Sequence, residues 1–537
     1  MVKSYWKHAL LERLPIVALG YLKVKTRAMA INKGGAPLNI ANGIREFAIA
    51  SPNLTAIIDG ERSITYRELF ERACRLANAL LAANLKRGVA VGVLMGNRME
   101  YSEVAAGCAM AGFPIVPINP RQTADENAYV LEHSEAQALI YDVALSAVLP
   151  TNLPATVWAI DGQGAHGNYE ELIAQYPATD PGVVVDENEP FCIAYTSGTT
   201  GKPKGVLISH RSRCLTFYAT AIEWGLGPGK RTIAVAPMYH GAGFAFGYGA
   251  VFTGGTLVMQ RKFDPEETLN MIGQHKLETI FLVPTHAQMM RALGDDVVSS
   301  KDISSLKTIY FNAAALPVPL KEWVIKLFPN VDVHELYGST EAGIVTNLRP
   351  VDALRKAGSV GHAWFMTEVI VLNDDGTPTP VGEPGELYSR SPYLMNGYFK
   401  DDAATEACTT ADGFLTCNDI VVRDSEGYIS IVDRKKDLII SGGTNVYPRE
   451  IEEVLAKHSD IAEVAVIGIK DELWGERAIA ILVSRSGTEI SSEELDAFAR
   501  KSLAGYKIPG EFHHVKALPR NASGKVLKTE LRVQFSK

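Results

Sequence analysis

Cysteine is sparse in this sequence, positive charge is not in excess, and long apolar runs are missing. Each shortage excludes something. Six cysteines (Cys74, Cys108, Cys192, Cys214, Cys408 and Cys417) are scattered through 537 residues, and none forms a C-x-x-C pair. A zinc site or dithiol redox motif is therefore not indicated, and scattered thiols fit a reducing compartment. Lysine and arginine number 53 against 61 acidic residues, a net charge of −8. That balance implies no basic face, so nucleic acid is not an expected partner. The N-terminal apolar run covers only residues 14–22, after Lys3, Lys7 and Arg13. It is far too short to span a bilayer. Ala28-Met29-Ala30 imitates a cleavage site, but Lys23, Lys25 and Arg27 stand between it and the run, which argues against a secretory leader. The run reads as a packed helix, with a weak basic membrane contact through the N-terminus as the alternative.

A chain of this length exceeds one hydrophobic core, so two or more lobes are expected. With 47% hydrophobic and 21% charged residues, the composition is that of a globular protein. Thr65-x-x-Glu68 is a capping box opening a helix, and Leu69, Ala73, Leu76, Ala77 and Leu80 continue it at helical spacing. Residues 89–95 read as a strand, 100–111 as a helix and 114–118 as a strand, an alternation that predicts parallel βαβ units. Gly162-Gln-Gly164-Ala-His-Gly167 formally matches a dinucleotide fingerprint. Its surroundings are not those of a first βαβ unit, so it reads as a surface loop.

The chain is organised around residues 191–205. Apolar residues 191–194 form a candidate buried strand, and Thr196, Ser197, Gly198, Thr199, Thr200, Gly201, Lys202, Lys204 and Gly205 come after it. Glycines let such a backbone approach a ligand, successive N–H groups make an anion-binding concavity, and the hydroxyls and ammonium groups add donors and charge. This is a phosphate cradle, but not a G-x-x-x-x-G-K-[ST] loop, because Pro203 follows Lys202.

The stretch Tyr-Thr-Ser-Gly-Thr-Thr-Gly-Lys-Pro-Lys-Gly resembles the signature of the adenylate-forming enzymes, which include acyl- and aryl-CoA synthetases, peptide-synthetase adenylation domains and beetle luciferases. The resemblance continues from about residue 40 to Lys525. Pro237-Met238-Tyr239-His240 matches the P-x-x-H motif. By that resemblance Tyr239, His240, Gly243 and Phe244 border the acid pocket, and the glycine-rich residues 241–249 leave space for a bulky group. Asn312-Ala313-Ala314-Ala315-Leu316 is similar to the G-A-A-P-L adenine turn, with Asn for Gly and Ala for Pro. Glu335-Leu-Tyr337-Gly338-Ser339-Thr340-Glu341 matches Y-G-x-T-E, implying that Tyr337 stacks on adenine, Thr340 reaches the α-phosphate and Glu341, with Thr196, holds Mg²⁺. Residues 412–419 resemble G-W-x-x-T-G-D, with Cys417-Asn418 replacing the glycine through one inserted residue, and Asp419 is expected to accept the ribose hydroxyls. Arg434 is expected at the ribose, Lys436 at the hinge, Asn445 near the nucleotide and Lys525 in the chemistry.

The resemblance implies an α/β enzyme with a large N-terminal lobe of βαβ-type subdomains and a small mobile C-terminal α/β lobe. The expected division is an extension at 1–40, a large domain at 41–433, a hinge at 434–436 and a small domain at 437–537. It further implies an ATP-dependent, Mg²⁺-requiring acid–CoA ligase in the cytoplasm, acting on CoA and a small-molecule carboxylic acid, expected to be a bulky fatty, aryl-alkyl or polycyclic one. The catalytic group is Lys525, Thr199, Glu341 and His240. Ligands of the nucleotide add Thr196, Ser197, Gly198, Thr200, Gly201, Lys204, Asn312, Ala313, Ala314, Glu335, Tyr337, Gly338, Thr340, Asp419, Arg434 and Asn445. Alternatives are an enzyme loading a separate carrier protein, a luciferase-like oxygenase and a nucleotide-binding regulator; a homodimer stays open. Only twelve residues follow Lys525, which disfavours an attached carrier segment. The joint presence of Thr199, Thr340, Glu341, Asp419, Arg434 and Lys525 disfavours the regulator.

Overall fold

The computed structural model describes residues 37–162, 166–196, 202–435, 437–441, 444–471, 474–485, 487–520 and 526–535. Ser197, Gly198, Thr199, Thr200, Gly201, Lys436 and Lys525 therefore lie outside the described residues, as does the apolar run at 14–22. The chain divides into two units, Met1–Leu38 and Asn39–Lys537, and the second carries every sheet.

The alternation of short apolar strands and helices produces two large sheets that are parallel inside; the nine-stranded one is antiparallel at both edges and the eight-stranded one at one edge only. The eight-stranded sheet has Val91–Leu94 between Ile115–Ile118 and Ala138–Asp142, all parallel, because the crossover helices Glu100–Ala111 and Ala124–His133 return the chain in one direction. All twelve residues of Glu100–Ala111 are buried. At one end of this sheet, Pro190–Thr196 pairs antiparallel with Lys204–Ser209, which pairs with Gly397–Tyr398. The nine-stranded sheet has a parallel run through Thr55–Asp59, Thr256–Met259, Arg231–Ala234, Thr279–Leu282, Thr308–Phe311 and Asp332–Ser339. Its last parallel strand turns back as Gly343–Leu348. A four-stranded antiparallel sheet carries Leu415–Arg423 and Ile429–Arg434.

A smaller C-terminal part completes the chain. Its sheet is built on the hairpin Ile461–Asp471/Gly475–Ser484, with Pro448–Leu455 and Ser492–Arg500 packed near it. Val466, Ala480, Leu482, Ile451, Leu455 and Leu495 form its core. The capping box at Thr65 folds as the sequence predicts, Thr65 and Glu68 bonding reciprocally, and Ser491 Oγ caps Ser492–Arg500 by accepting from Glu494 N. Among the described residues no helix is long and apolar enough to cross a membrane.

The two large sheets are stitched together by the loop after Val91–Leu94. Asn97 is buried, and its amide nitrogen donates to Ala234 O at 3.1 Å, Ala236 O at 3.1 Å and Gln260 O at 3.2 Å. Its oxygen accepts from Met238 N at 2.8 Å. Arg98, 1% exposed, bonds Glu100 at 2.7 Å, Asp142 at 2.7 Å and Asp161 at 2.8 Å. Burial of a guanidinium costs several kcal/mol unless its donors are paired, and here three carboxylates pair it.

Candidate active site

One wall of the site is polar. Tyr337 lies on Asp332–Ser339, and its hydroxyl donates to Asp419 Oδ2 at 2.6 Å. Arg434, opposite Asp419 in the sheet register, brings Nε to 3.2 Å from Oδ1. The buried carboxylate is thus oriented by one neutral and one charged donor, and each oxygen keeps a lone pair for an incoming hydroxyl. Burial raises the Tyr337 hydroxyl well above its ordinary pKa, so it stays a donor. Gly338 is required here, because a Cβ would lie 2.1 Å from Gly343 O. Ser339 Oγ accepts from Ala342 N at 2.9 Å and contacts Cys417 Sγ at 3.0 Å, which closes the turn bearing Thr340 and Glu341.

Asn312, Ala313 and Ala314 form an open turn after Thr308–Phe311. Ala313 has φ +74°, and its N–H donates to Asn312 Oδ1 at 2.5 Å. A non-glycine residue in the left-handed region costs about 1–2 kcal/mol, so the turn is held in a strained shape. Glu335 holds it from beneath. One carboxylate oxygen accepts from Leu316 N at 3.2 Å, and the other lies 2.6 Å from Lys321 Nζ. Burial raises the pKa of Glu335 and Lys321 opposes the rise. The sequence reading places Glu335 among the nucleotide ligands, whereas the structure turns its carboxylate away into this buried pair.

The phosphate stretch is flanked by two antiparallel strands, Pro190–Thr196 and Lys204–Ser209, with Thr196 opposite Lys204. Lys204 Nζ lies 3.1 Å from Asp401 and 5.0 Å from the centre of the Tyr398 ring. Tyr398 donates to Glu341 Oε1 at 3.1 Å. Among the described residues no group of three His, Cys, Asp or Glu could hold a cation alone. Glu341 nonetheless fits Mg²⁺, which is usually held through one or two carboxylates plus substrate phosphates.

The opposite wall is apolar. His240 precedes the helix Gly241–Phe252, and its ring lies 4.7 Å from that of Tyr239. Residues 243–252 are all buried. Gly241 faces open space, but Gly243 and Gly247 do not. A Cβ on Gly243 would lie 2.0 Å from Pro237 O, and one on Gly247 2.5 Å from Met238 Sδ, so these positions let the helix press against the turn that carries His240. Phe244 is likewise buried, stacked on Tyr248 at 4.8 Å and on Phe191 at 5.7 Å. Asn445 lies exposed on Thr444–Val446, and among the described residues no hydrogen bond joins it to Tyr337, Asp419 or Glu341.

Residues 44–399 match the AMP-binding enzyme family, and residues 450–525 match the AMP-binding enzyme C-terminal domain. The chain belongs to the AMP-binding enzymes. A feruloyl-CoA synthase of Amycolatopsis is 35% identical over 492 residues, 90% of this chain and 96% of its own length. A long-chain-fatty-acid–CoA ligase of Mycobacterium tuberculosis is 35% identical over 512 residues, 93% of this chain and 99% of its own. The o-succinylbenzoate CoA synthetase of Bacillus subtilis, solved with its acyl-adenylate intermediate, superposes with a TM-score of 0.81 at 29% identity, covering 91% of this chain and 98% of its own.

Family membership and backbone geometry together correct one reading of the sequence. Gly413 to Asp419 fills the seven places of G-W-x-x-T-G-D without an insertion. Cys417 stands in the threonine place and Asn418 in the glycine place, and Asn418 adopts φ +60°, a conformation asparagine tolerates better than most residues. Two side chains of this AMP-binding enzyme that sequence reasoning did not assign are Asn97 and Tyr398. The first is signalled only by a polar pair, Asn97-Arg98, directly after an apolar strand; the second only by following Gly397.

Proposed function

We propose that this chain is an ATP-dependent, AMP-forming ligase that joins a carboxylic acid to CoA through an acyl-adenylate. The observation that supports it most is the set Tyr337, Asp419 and Arg434, with the Tyr398-held Glu341 tied to Lys204. A carboxylate is a poor acyl donor because its leaving group would be oxide; transfer to AMP makes the leaving group a phosphate monoester. Two anions must meet for that step. Lys525 lies between them in this reading and neutralises charge at the α-phosphorus, with Thr340 beside it. Lys202, Lys204 and the backbone of 196–201 hold the departing diphosphate. Mg²⁺, bound by Glu341 and Thr196, would neutralise phosphate oxygens. Asp419 and Arg434 take the ribose, and Tyr337 with the 312–314 turn takes the base. No side-chain nucleophile is needed, since positioning and charge carry the step.

Thiol attack then needs another surface at the same carbonyl. Rotation of a small domain, 437–537, about a hinge at 434–436 would supply it. The anchoring of the hinge's flanks supports this division. Lys435 is tied to Asp374 at 2.8 Å and Glu386 at 3.0 Å, whereas Asp437 is tied to Arg532 at 3.0 Å. The sparse cysteines support a cytoplasmic enzyme.

The acid is of the fatty or aryl-alkyl class. The filled positions at Gly243 and Gly247 weaken the argument for a roomy polycyclic pocket, and relatives are named for feruloyl and long-chain fatty acids. The test is ATP–diphosphate exchange over fatty, aryl-alkyl and steroid acids, followed by thiol loss with CoA. Exchange with fatty or aryl-alkyl acids and matching thiol loss is expected. Exchange with no acid in the set would overturn the reading, and exchange without thiol loss would remove CoA as acceptor.

A further inference from the structure

Residues 395–401 form a strap between two parts of the nucleotide wall. At one end Met395 N donates to Glu341 O at 2.8 Å. Along its length Asn396 N donates to Leu207 O at 2.8 Å and Phe399 N to Gly205 O at 2.7 Å, so the strap is an added strand beside Lys204–Ser209. At the other end Asp401 pairs with Lys204. Tyr398 sits at the middle. Its N–H donates to Thr405 Oγ1 at 2.9 Å, which fixes the backbone, and its side chain meets both neighbours at once. The hydroxyl donates to Glu341 Oε1 at 3.1 Å, and the ring face lies 5.0 Å from Lys204 Nζ. A glutamate on a turn has three rotors to order before it can hold a cation in one geometry. A hydrogen bond to the carboxylate from a ring that is itself seated removes that freedom in advance.

We infer that Tyr398 is a positioning residue for adenylate formation: its hydroxyl sets the direction of Glu341 and its ring seats Lys204, so the cation-holding and diphosphate-holding groups share one frame. The inference rests on the reading of Glu341 as the cation ligand.

Tyr398→Phe keeps the ring and its contact with Lys204 and removes only the hydroxyl. The probe is Mn²⁺ with α,β-methylene ATP, free Mn²⁺ being counted by electron paramagnetic resonance. Mn²⁺ affinity is expected to fall about tenfold, the size of one charge-assisted hydrogen bond. The Mg²⁺ concentration for half-maximal diphosphate exchange should rise by the same factor. KM for the acid, and thioester formation from supplied acyl-adenylate, should not move. In a Glu341→Gln background the tyrosine substitution should add nothing. Unchanged Mn²⁺ affinity in Tyr398→Phe, with Glu341→Gln weakening it, overturns the role of Tyr398 and leaves that of Glu341 intact. Unchanged affinity in Glu341→Gln overturns both. Equal losses in cation binding and in thioester formation from acyl-adenylate would mean a general structural role and also overturn the inference.

Discussion

On the nucleotide side, Tyr337, Asp419 and Arg434 fix one another through charged hydrogen bonds, and Glu341 is held by Tyr398. On the acid side, the turn at 237–240 is held by a neutral amide, Asn97, and by a glycine-rich helix pressed against it. The first arrangement is directional: moving any one member strands the others. The second is mostly packing, which tolerates volume-conserving exchange at a cost below about 1.5 kcal/mol. On the proposed reading, the comparison teaches how a constant reagent, ATP, is held by directional bonds while the acid side rests on packing.

The sharpest way to break this division is at the group that the proposed mechanism sets between the two anions. Lys525→Ala should lower acyl-adenylate formation by about 10²–10³-fold and spare thioester formation from supplied acyl-adenylate, as removal of a group aimed at developing charge does. Equal loss in both half-reactions would end that assignment. Next in size is Asp419→Asn, which keeps the shape but removes the charge facing Arg434. KM for ATP should rise by about 30-fold, the cost of roughly 2 kcal/mol for a weakened charge-assisted pair, with KM for the acid nearly constant. If both constants rise together, the two walls are not separately held. Asn97→Ala is the mirror experiment. It leaves three carbonyls and one N–H without their side-chain partner, and KM for the acid should rise about tenfold while KM for ATP stays within a factor of two. A reversed pattern would place the brace of the nucleotide on the wrong wall.

The smallest expected effect concerns pH. His210 lies beneath the acid side, its ring 5.9 Å from Phe191, which stacks on Phe244. Burial pushes its pKa from 6.5 down to about 4, and its Nδ1 accepts from Ile40 N at 3.3 Å. Between those values the unfolded chain binds a proton that the folded one refuses, so stability is full above pH 6.5 and falls as pH drops toward 4. The loss is about 1.4 kcal/mol per pH unit. His210→Gln should flatten the denaturation midpoint between pH 5 and 7; an unchanged slope would assign the acid sensitivity elsewhere.

Much of the scaffold is legible in the sequence because its causes are local. Glu100–Ala111 and Ile115–Ile118 fall where the apolar pattern puts them, and the capping box at Thr65 closes as its residues predict. Gly241–Phe252 is not legible as a helix. Glycine disfavours helices, and a segment apolar all round shows no period. Asn97 is silent for another reason: its carbonyl partners lie 137, 139 and 163 residues away. Tyr398 likewise meets Glu341 across 57 residues. That Asn418 fills a glycine place is legible by counting Gly413 to Asp419, and its left-handed backbone agrees with that count.

The thiol of Cys417 meets Ser339 Oγ at 3.0 Å on the strand that also carries Asp419, and burial drives its pKa far above the ordinary thiol value, with Glu341 adding to the rise. Only the deprotonated form attacks electrophiles or oxidants readily. An alkylating reagent should therefore find this sulfur slowly and chiefly when the wall parts, so its labelling rate would serve as a clock for opening of the nucleotide side.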